Sequence, residues 1–393
     1  MRIGPLLVGL LAVSPVAAGA QASAPYYPAP GTGWEHRTAS VVGMNQAGVD
    51  SAVAFAKASE IPWDRSMAVQ LARNVATEPY PDILGPIKDW GGIGGMIIRN
   101  GYIVAEGGDV ERVDMTFSVS KSYLSAVTGI AFDRGMIPDL HRPEGELIKD
   151  GGFDNPHNAP ITWHDHLTQT SEWEGTLWDK PDVADRRRGR DRQLETPGSF
   201  WEYNDVRVNR LALSILRLFN RPLPEILKAE IMDPIGASDT WVWHGYRNSY
   251  VEIAGQQVQS VSGGGHWGGG VWASTRDHAR FGYLMLRRGK WGDRQLLSEQ
   301  WIDLATPPTP IRPVFTSRLG VPEIMLAGVP VKLTVGKGSF PLAGRCVVTQ
   351  KNVAIDAGVK QDLHGACIAG GAGSTEVDLQ VAELPGLAAL NAA

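Results

Sequence analysis

An apolar hairpin signal followed by a helical segment most constrains how this chain can fold. Two apolar runs, Met96-Ile97-Ile98 and Tyr102-Ile103-Val104, flank Asn100-Gly101. Asn-Gly between apolar runs is the strongest short-range signal for a β-hairpin. Residues 116–134 follow with apolar residues at helical spacing, and Gly135 stands where a helix stop is expected. The sequence therefore predicts a hairpin that leads into a helix.

The rest of the chain adds helices and a long irregular region. Residues 137–200 are polar and turn-rich, with many Trp, Pro and Gly, and residues 262–275 are rich in Gly. This order predicts an α+β fold with an inserted helical lobe at about residues 137–260. Helical spacing of apolar residues recurs at residues 45–60, 206–219, 277–288 and 298–305.

Composition excludes several classes of protein. The chain has 393 residues, of which 43% are hydrophobic and 20% charged, so it is neither disordered nor a coiled coil. Its formal net charge of −5 argues against a nucleic-acid binder that relies on a basic surface. Two cysteines cannot form a disulfide-rich scaffold or a four-cysteine zinc site.

The first twenty residues have the pattern of a secretory signal peptide. A positive start at Met1-Arg2 precedes the apolar run 6–16, and Ala18-Gly19-Ala20 fits a cleavage site before Gln21. A membrane anchor is the alternative, but the run is shorter than the roughly 20 residues of a spanning helix. We therefore expect a periplasmic or secreted protein without stable membrane insertion. Residues 21–43, rich in Ala, Pro and Gly, are predicted to form an extended leader.

Ser118 and Lys121 are the first candidates for chemistry. They lie three residues apart at the start of the predicted helix, so the ammonium can reach the hydroxyl. A serine hydroxyl needs an adjacent base to act as a nucleophile, and a lysine serves only where its neutral form is favoured. An ordinary helix start with a solvated lysine is the alternative. Ser120 and Ser122 have no lysine three residues later.

Residues 92–135 resemble the serine β-lactamase and penicillin-binding protein superfamily, in particular its esterase and amide-hydrolase branch, which includes 6-aminohexanoate-dimer hydrolase. In that family a hairpin precedes a helix that opens with Ser-x-x-Lys, as Ser118-Val119-Ser120-Lys121 does here. The resemblance implies a β-lactamase/transpeptidase-like fold, in which helices flank an antiparallel sheet. It covers a body of residues 44–310.

Two further stretches carry the resemblance. The family's Tyr-x-Asn motif, after Pro-Gly and an aromatic residue, is matched by Tyr203-Asn204-Asp205 after Pro197-Gly198. Asp205 stands where the family has Asn, so a substrate-binding role is expected at Asp205 or at Asn204 beside it. Residues 268–282 resemble the family's mid-chain Gly-Gly to Ala-Arg-Phe segment, and His266 and Trp267, just before it, are expected to border the substrate pocket.

The resemblance implies acyl transfer. Ser118 would attack a carbonyl, and Lys121 and Tyr203 would share the proton transfers, with the identity of the base left open. The oxyanion would lie between the Ser118 backbone N–H and an N–H of a late strand. We expect a small-molecule ester, amide or β-lactam substrate and no metal or cofactor. The alternative is a catalytically impaired, penicillin-recognising protein of the same fold.

Residues 311–393 form an atypical C-terminal segment, which is expected to supply the last strands. All 13 Trp and all 9 Tyr lie at or before Trp301. The family's third motif, Lys/His-x-Gly, belongs near the C-terminus, whereas His266-Trp267-Gly268 has the right residues at an early position. One hypothesis is that part of this segment is translated out of frame, which the other frames of the coding DNA past codon 310 would test.

The two cysteines lie in this same segment. A hairpin turning near Asp356-Ala357-Gly358 would place Cys346 opposite Cys367. In an oxidising compartment the two could form a cross-strand disulfide. We state this pairing as a hypothesis.

Two polar clusters are assigned ordinary roles. His164-Asp165-His166 lacks the further His and Asp of a metallo-hydrolase, so solvated or loop-capping histidines are expected. The basic run Arg186-Arg187-Arg188-Gly189-Arg190 is predicted to be a solvated loop, with recognition of a substrate carboxylate as the alternative.

Overall fold

The computed structural model describes residues 25–31 and 33–307 in full, and beyond them the backbone of six strands. The signal-peptide prediction therefore lies outside the described residues. None of the helices in the described part is long and apolar enough to cross a membrane. Between residues 25 and 307 the described chain forms the α-helices α1 (Gln46–Ala58), α2 (Met67–Val75), α3 (Ser120–Asp133), α4 (Trp163–Leu167), α5 (Asp205–Phe219), α6 (Leu223–Leu227), α7 (Thr275–Leu286) and α8 (Glu299–Ala305).

The strands form several antiparallel sheets. In the body, β3, β8, β6 and β7 pair in that order, and β1 pairs with β2. The body strands are β1 (Gly95–Arg99), β2 (Tyr102–Gly107), β3 (Val113–Met115), β4 (Thr176–Leu177), β5 (Lys180–Pro181), β6 (Val242–Ile253), β7 (Gln256–Val261), β8 (Gly270–Ser274), β9 (Lys290–Trp291) and β10 (Arg294–Gln295). The C-terminal strands are β11 (Phe315–Thr316), β12 (Pro322–Leu326), β13 (Val329–Lys337), β14 (Gly344–Thr349), β15 (Asp362–Ala369) and β16 (Ser374–Glu383).

The hairpin and the helix after it are confirmed. Asn100 and Gly101 form the turn between β1 and β2 with φ of 54° and 90°, the left-handed region that Asn and Gly tolerate best. Helix α3 then packs against α5 in the main core. Leu124 and Val127 of α3 and Ile215 of α5 are buried there. Burial of these apolar faces fixes the two helices that carry the candidate site.

The lobe is less helical than the sequence predicts. Its predicted span of 137–260 contains α4, α5 and α6, but residues 242–261 form the long hairpin β6–β7. Ala254 and Gly255 make the turn, both with positive φ, which is the geometry of a two-residue hairpin turn. The β-branched and aromatic residues of β6 favour a strand. The lobe prediction is therefore wrong for this part.

The described part of the predicted leader is bound to the body, and its last residues, Ala39–Val42, form a 3₁₀ helix. The Arg280 guanidinium donates hydrogen bonds to the carbonyls of Ala29 and Gly31 at 2.6 and 2.7 Å. Trp34 is buried and its Nε1 donates to the Gly101 carbonyl at 2.6 Å. These contacts attach the leader to α7 and to the β1–β2 turn.

The C-terminal strands pair with one another in the order β11-β12-β13-β16-β15-β14. The register of β14 and β15 pairs Cys346 with Cys367, as the hairpin interpretation predicts. Residues at directly opposite positions on neighbouring strands are close enough to form a disulfide. The bond itself stays a prediction.

Candidate active site

Ser118 lies in a 3₁₀ turn, Phe117–Val119, at the start of α3. Its side chain is exposed, as a nucleophile requires. The preceding residue, Phe117, has φ of 47°, a left-handed conformation that costs a bulky residue about 1–3 kcal/mol. Gly265 makes room for this conformation, because a Cβ at that position would lie 3.2 Å from the Phe117 Cα. The strain falls next to the residue that the sequence identifies as the nucleophile.

Strand β8 holds the nucleophile turn in place. The Thr116 N–H donates to the Val271 carbonyl at 3.0 Å, and the Val271 N–H donates to Ser120 Oγ at 2.8 Å. Ser120 is fully buried, so its hydroxyl is structural. The turn is therefore fixed to the sheet while the Ser118 side chain faces solvent.

Lys121 connects the serine to the lobe. Its Nζ lies 3.3 Å from Ser118 Oγ and donates to Asp205 Oδ1 at 2.6 Å. The sequence placed Lys121 beside Ser118 from helical spacing, and the structure brings the two together. The shorter contact is with Asp205, 84 residues further along the chain.

Asp205 is buried beneath the site. Its side chain is 2% exposed, and its Oδ2 accepts the backbone N–H of His266 at 3.2 Å. A Cβ at Gly264 would lie 2.0 Å from Asp205 Oδ2, so only glycine fits there. The expectation that Asp205 binds substrate is corrected, because its carboxylate is enclosed and already paired.

The ion pair favours the charged forms of both Lys121 and Asp205. Burial, the largest single effect, acts to lower the pKa of Lys121, but Asp205 and Tyr203 together raise it above its usual value. Burial alone would raise the pKa of Asp205, but Lys121, followed by His266, lowers it. Each side chain thus favours the charged form of the other.

Asn204 has a structural role. Its Oδ1 accepts the N–H groups of Val206 and Arg207 at 3.0 and 3.2 Å, which is a typical N-cap for α5. Its Nδ2 donates to the Asp182 carbonyl at 2.8 Å. Asn204 is fully buried, so the expectation that it binds substrate is corrected as well.

Tyr203 lies beside two cations. Lys121 Nζ is 4.5 Å from the centroid of its ring, and the Arg187 guanidinium carbon is 4.8 Å from the same centroid. Tyr203 is half-buried, in the loop just before α5. Ser118, Lys121 and Tyr203, the three predicted catalytic residues, are thus joined through Lys121.

Arg187 is a residue of the site that the sequence analysis missed. Its Nε donates to Asp185 Oδ1 at 2.9 Å, and the other Asp185 oxygen accepts the Asp205 N–H at 2.7 Å. Arg186 is 8% exposed and paired with Asp182. The prediction of a solvated basic loop is therefore wrong for Arg186, whereas Arg187 pairs with Asp185 while its side chain is 51% exposed. The aspartates that flank the arginine run, Asp182, Asp185 and Asp191, were the signal for this ion-pair network.

A buried ion network fixes the loops around Tyr203. Glu172 is fully buried, and its carboxylate accepts from Arg192 and Arg207, each at 2.6 Å. Arg192 also pairs with Glu202, the residue before Tyr203. Burial acts to raise the pKa of Glu172, but Arg192 and Arg207 lower it to about 2. This network ties the loop after α4 to the loop that carries Tyr203.

His266 and Trp267 differ in solvent exposure. Trp267 is fully buried, and its Nε1 donates to Glu78 at 3.2 Å, so the expectation that it contacts substrate is corrected. The His266 ring is 19% exposed and pairs with Glu78 at 2.8 Å. His266, Glu78, Asp185 and Arg187 line an open cleft of about 710 Å³.

The expectation of solvated or loop-capping histidines in His164-Asp165-His166 is wrong for His166, which is buried. Thr162 and Asp165 form a capping box at the start of α4, which stabilises a helix N-terminus. His166 is fully buried against Glu144, while His164 is half-buried. The described residues contain no cluster of three or more His, Cys, Asp or Glu that could hold a metal ion.

A known family matches the part of the chain that contains the candidate site. Residues 108–355 match the Beta-lactamase family, which is more than half of the chain. The chain therefore belongs to the β-lactamase family, and its fold is the α+β, β-lactamase/transpeptidase-like fold. The matched region begins before the Ser118 turn and extends into the C-terminal segment.

Solved structures with a similar arrangement are distant. A protein described as a 6-aminohexanoate-dimer hydrolase from Bacillus anthracis is 17% identical, over 61% of this chain and 70% of that one, with a TM-score of 0.41. The octameric penicillin-binding protein homologue from Pyrococcus abyssi is 16% identical, over 76% and 72%, with a TM-score of 0.41. A D-stereospecific amidohydrolase from Streptomyces sp. is 17% identical, over 70% and 83%, with a TM-score of 0.38.

No curated protein sequence matches the chain. Similarity at the level of these structures does not indicate a substrate, and the family assignment rests on the sequence match.

Proposed function

We propose that this protein is an exported serine hydrolase that cleaves an ester or amide through an acyl-enzyme on Ser118. The observation that carries the proposal is the 3.3 Å contact between Lys121 Nζ and the exposed Ser118 Oγ, with the Tyr203 ring beside the same ammonium. A nucleophile, a cation and a second proton-transfer group thus meet at one accessible point.

The arrangement supports a two-step reaction. Ser118 Oγ forms a bond to the substrate carbonyl carbon, its proton leaves to a base of the site, and the leaving group departs with a proton. Water then cleaves the acyl-serine ester and regenerates the hydroxyl. Lys121 and Tyr203 are the side chains proposed to handle these protons. The N–H of Ser118 is proposed as one oxyanion donor, with a late strand as the other.

Export is proposed from the first twenty residues, which have the pattern of a cleaved signal peptide. Edman sequencing of protein recovered from the periplasm or medium should begin near Gln21. A product that begins at Met1 and stays in the cytoplasm would contradict export.

A second candidate is a penicillin-recognising protein of the same fold that is acylated and does not turn over. The buried Asp205 favours it, because the pair with Lys121 at 2.6 Å replaces the amide that the family has at this position. Such a protein would form a stable adduct on Ser118 without releasing product.

Turnover of nitrocefin and p-nitrophenyl acetate separates the candidates. We expect the wild-type protein to hydrolyse the acetate ester, Ser118→Ala to lose turnover, and Ser122→Ala to retain it. Ser122 is the matched control, because it is exposed on the same helix without a lysine three residues later. Turnover that survives Ser118→Ala would contradict the mechanism. Stoichiometric labelling of Ser118 without turnover would favour the binding protein.

A further inference from the structure

We infer that Asp205 is a positioning residue that holds Lys121 as an ammonium, so that Lys121 donates a hydrogen bond to Ser118 and does not accept its proton. The inference rests on the proposed function, since it concerns the same nucleophile. It settles a choice between two proton acceptors that the sequence leaves open.

Geometry favours a permanent ion pair. Lys121 Nζ lies 2.6 Å from Asp205 Oδ1, with the side chains 17% and 2% exposed. A charge-assisted contact of this length in a buried position is among the stronger hydrogen bonds in proteins. Asp205 is held from its other side by the His266 N–H, and a Cβ at Gly264 would collide with its carboxylate. The two carboxylate oxygens are thus each held by a donor, Oδ1 by Lys121 Nζ and Oδ2 by the His266 N–H.

The charges around the pair reinforce it. Lys121, on α3, faces Ser118, Asp205 and the ring of Tyr203. Asp205 faces Lys121 and the backbone of His266, and its own N–H donates to Asp185. Two further charged groups lie next to Lys121 and Asp205. They are the Arg187 guanidinium, which pairs with Asp185, and the Glu78 carboxylate, which pairs with His266.

This arrangement differs from that of a lysine base. A lysine accepts a proton only in its neutral form, which burial and neighbouring cations favour. Lys121 is largely buried but lies 2.6 Å from a carboxylate, and Asp205 and Tyr203 together raise its pKa in spite of burial. An ammonium has three donors and no acceptor. Lys121 can thus orient Ser118 and stabilise negative charge near it, without taking its proton.

The serine proton must then go elsewhere. Tyr203 is the described side chain that shares Lys121 with Ser118, and its ring also contacts Arg187. In this step the Ser118 O–H bond breaks, its proton passes to a base other than Lys121, for which Tyr203 is the candidate, and Oγ bonds to the carbonyl carbon as the C=O electron pair moves to the oxygen. Lys121 keeps its charge throughout.

The charge of Lys121 can be measured without any activity. We would follow the ¹³Cε and ¹⁵Nζ signals of Lys121 in lysine-labelled protein against pH, assigned with Lys121→Arg. The wild-type signal should stay that of an ammonium through pH 9, and in Asp205→Asn its titration midpoint should move to lower pH. Asp150→Asn is the matched control, because it also removes a buried carboxylate paired with α5, through Arg210, and should leave the Lys121 midpoint unchanged.

The pH profile of kcat/KM gives the second readout. If Lys121 must be an ammonium, Asp205→Asn should move the alkaline limb to lower pH. If Lys121 is the base, the acid limb should move to lower pH and turnover near pH 7 should rise. A neutral Lys121 in the wild-type protein below pH 8, or movement of the acid limb, would overturn the inference. Loss of the proposed function would show separately, as turnover that survives Ser118→Ala.

Discussion

Lys121 and Asp205 form an ion pair of 2.6 Å that joins the nucleophile helix α3 to the lobe helix α5. The pair spans 84 residues of sequence and lies directly beneath Ser118. One carboxylate therefore links the packing of the lobe to the charge of the lysine at the candidate active site.

Lys121→Met should lower the free energy of unfolding by about 3–5 kcal/mol at pH 7, because it leaves Asp205 buried without a partner. The difference from wild type should shrink below about pH 4, since a carboxylate with a lowered pKa loses its stabilising effect as pH falls through that pKa. Lys121 has a raised pKa, so its contribution is present below about pH 10 and is lost only above it.

Urea denaturation at pH 7 and pH 3 measures this difference. Lys290→Met, at an exposed position on β9, is the control and should change stability by about 0.5 kcal/mol or less. An equal, small loss for both variants would show that the ion pair does not stabilise the fold.

Tyr203→Phe should reduce kcat/KM by about 10²- to 10⁴-fold without unfolding the protein, because it removes a proton-transfer oxygen and keeps the ring. Turnover of p-nitrophenyl acetate measures the effect. Tyr250→Phe is the control, since Tyr250 is 51% exposed on β6 and should retain wild-type turnover. If Tyr203→Phe retained it too, Tyr203 would have no part in proton transfer.

Glu172→Gln should destabilise the protein by about 3–5 kcal/mol, because it leaves the half-buried Arg192 and the buried Arg207 without their shared carboxylate. Glu172 has a pKa of about 2, so its stabilisation is present above about pH 4.3 and is lost as pH falls toward 2. Chemical denaturation at pH 7 measures the loss. Glu299→Gln, in an exposed pair with Arg288, should cost less than about 1 kcal/mol, and equal losses would refute the assignment.

Local signals in the sequence predicted the elements that carry the site. The Asn100-Gly101 turn and the helix after Ser118 depend on residues adjacent in sequence, and helical spacing was enough to bring Lys121 to Ser118. The hairpin β6–β7 was missed because its Ala254-Gly255 turn is a weaker signal than Asn-Gly.

The roles of Asn204 and Asp205 could not be predicted from their positions in the sequence. Which of two adjacent side chains caps α5 and which reaches Lys121 depends on the φ and ψ at the helix start, not on residue type. Glu78 contacts His266 across 188 residues, and Arg187 reaches Tyr203 from another loop. Long-range pairs of this kind follow from the packed fold alone.

The exported protein should contain no free thiol if Cys346 and Cys367 form the proposed disulfide. Their pairing in the register of β14 and β15 motivates the prediction. Thiol titration in denaturant, before and after reduction, should give zero and then two thiols per chain. Two thiols before reduction would rule the bond out.

The most direct test of the central claim is the intact mass of the protein after incubation with a fluorophosphonate probe or a penicillin. We predict one adduct per chain, mapped by peptide sequencing to Ser118, absent from Ser118→Ala and retained in Ser122→Ala. An adduct on another residue, or unmodified protein with both probes while the fold is intact, would contradict a serine nucleophile at position 118.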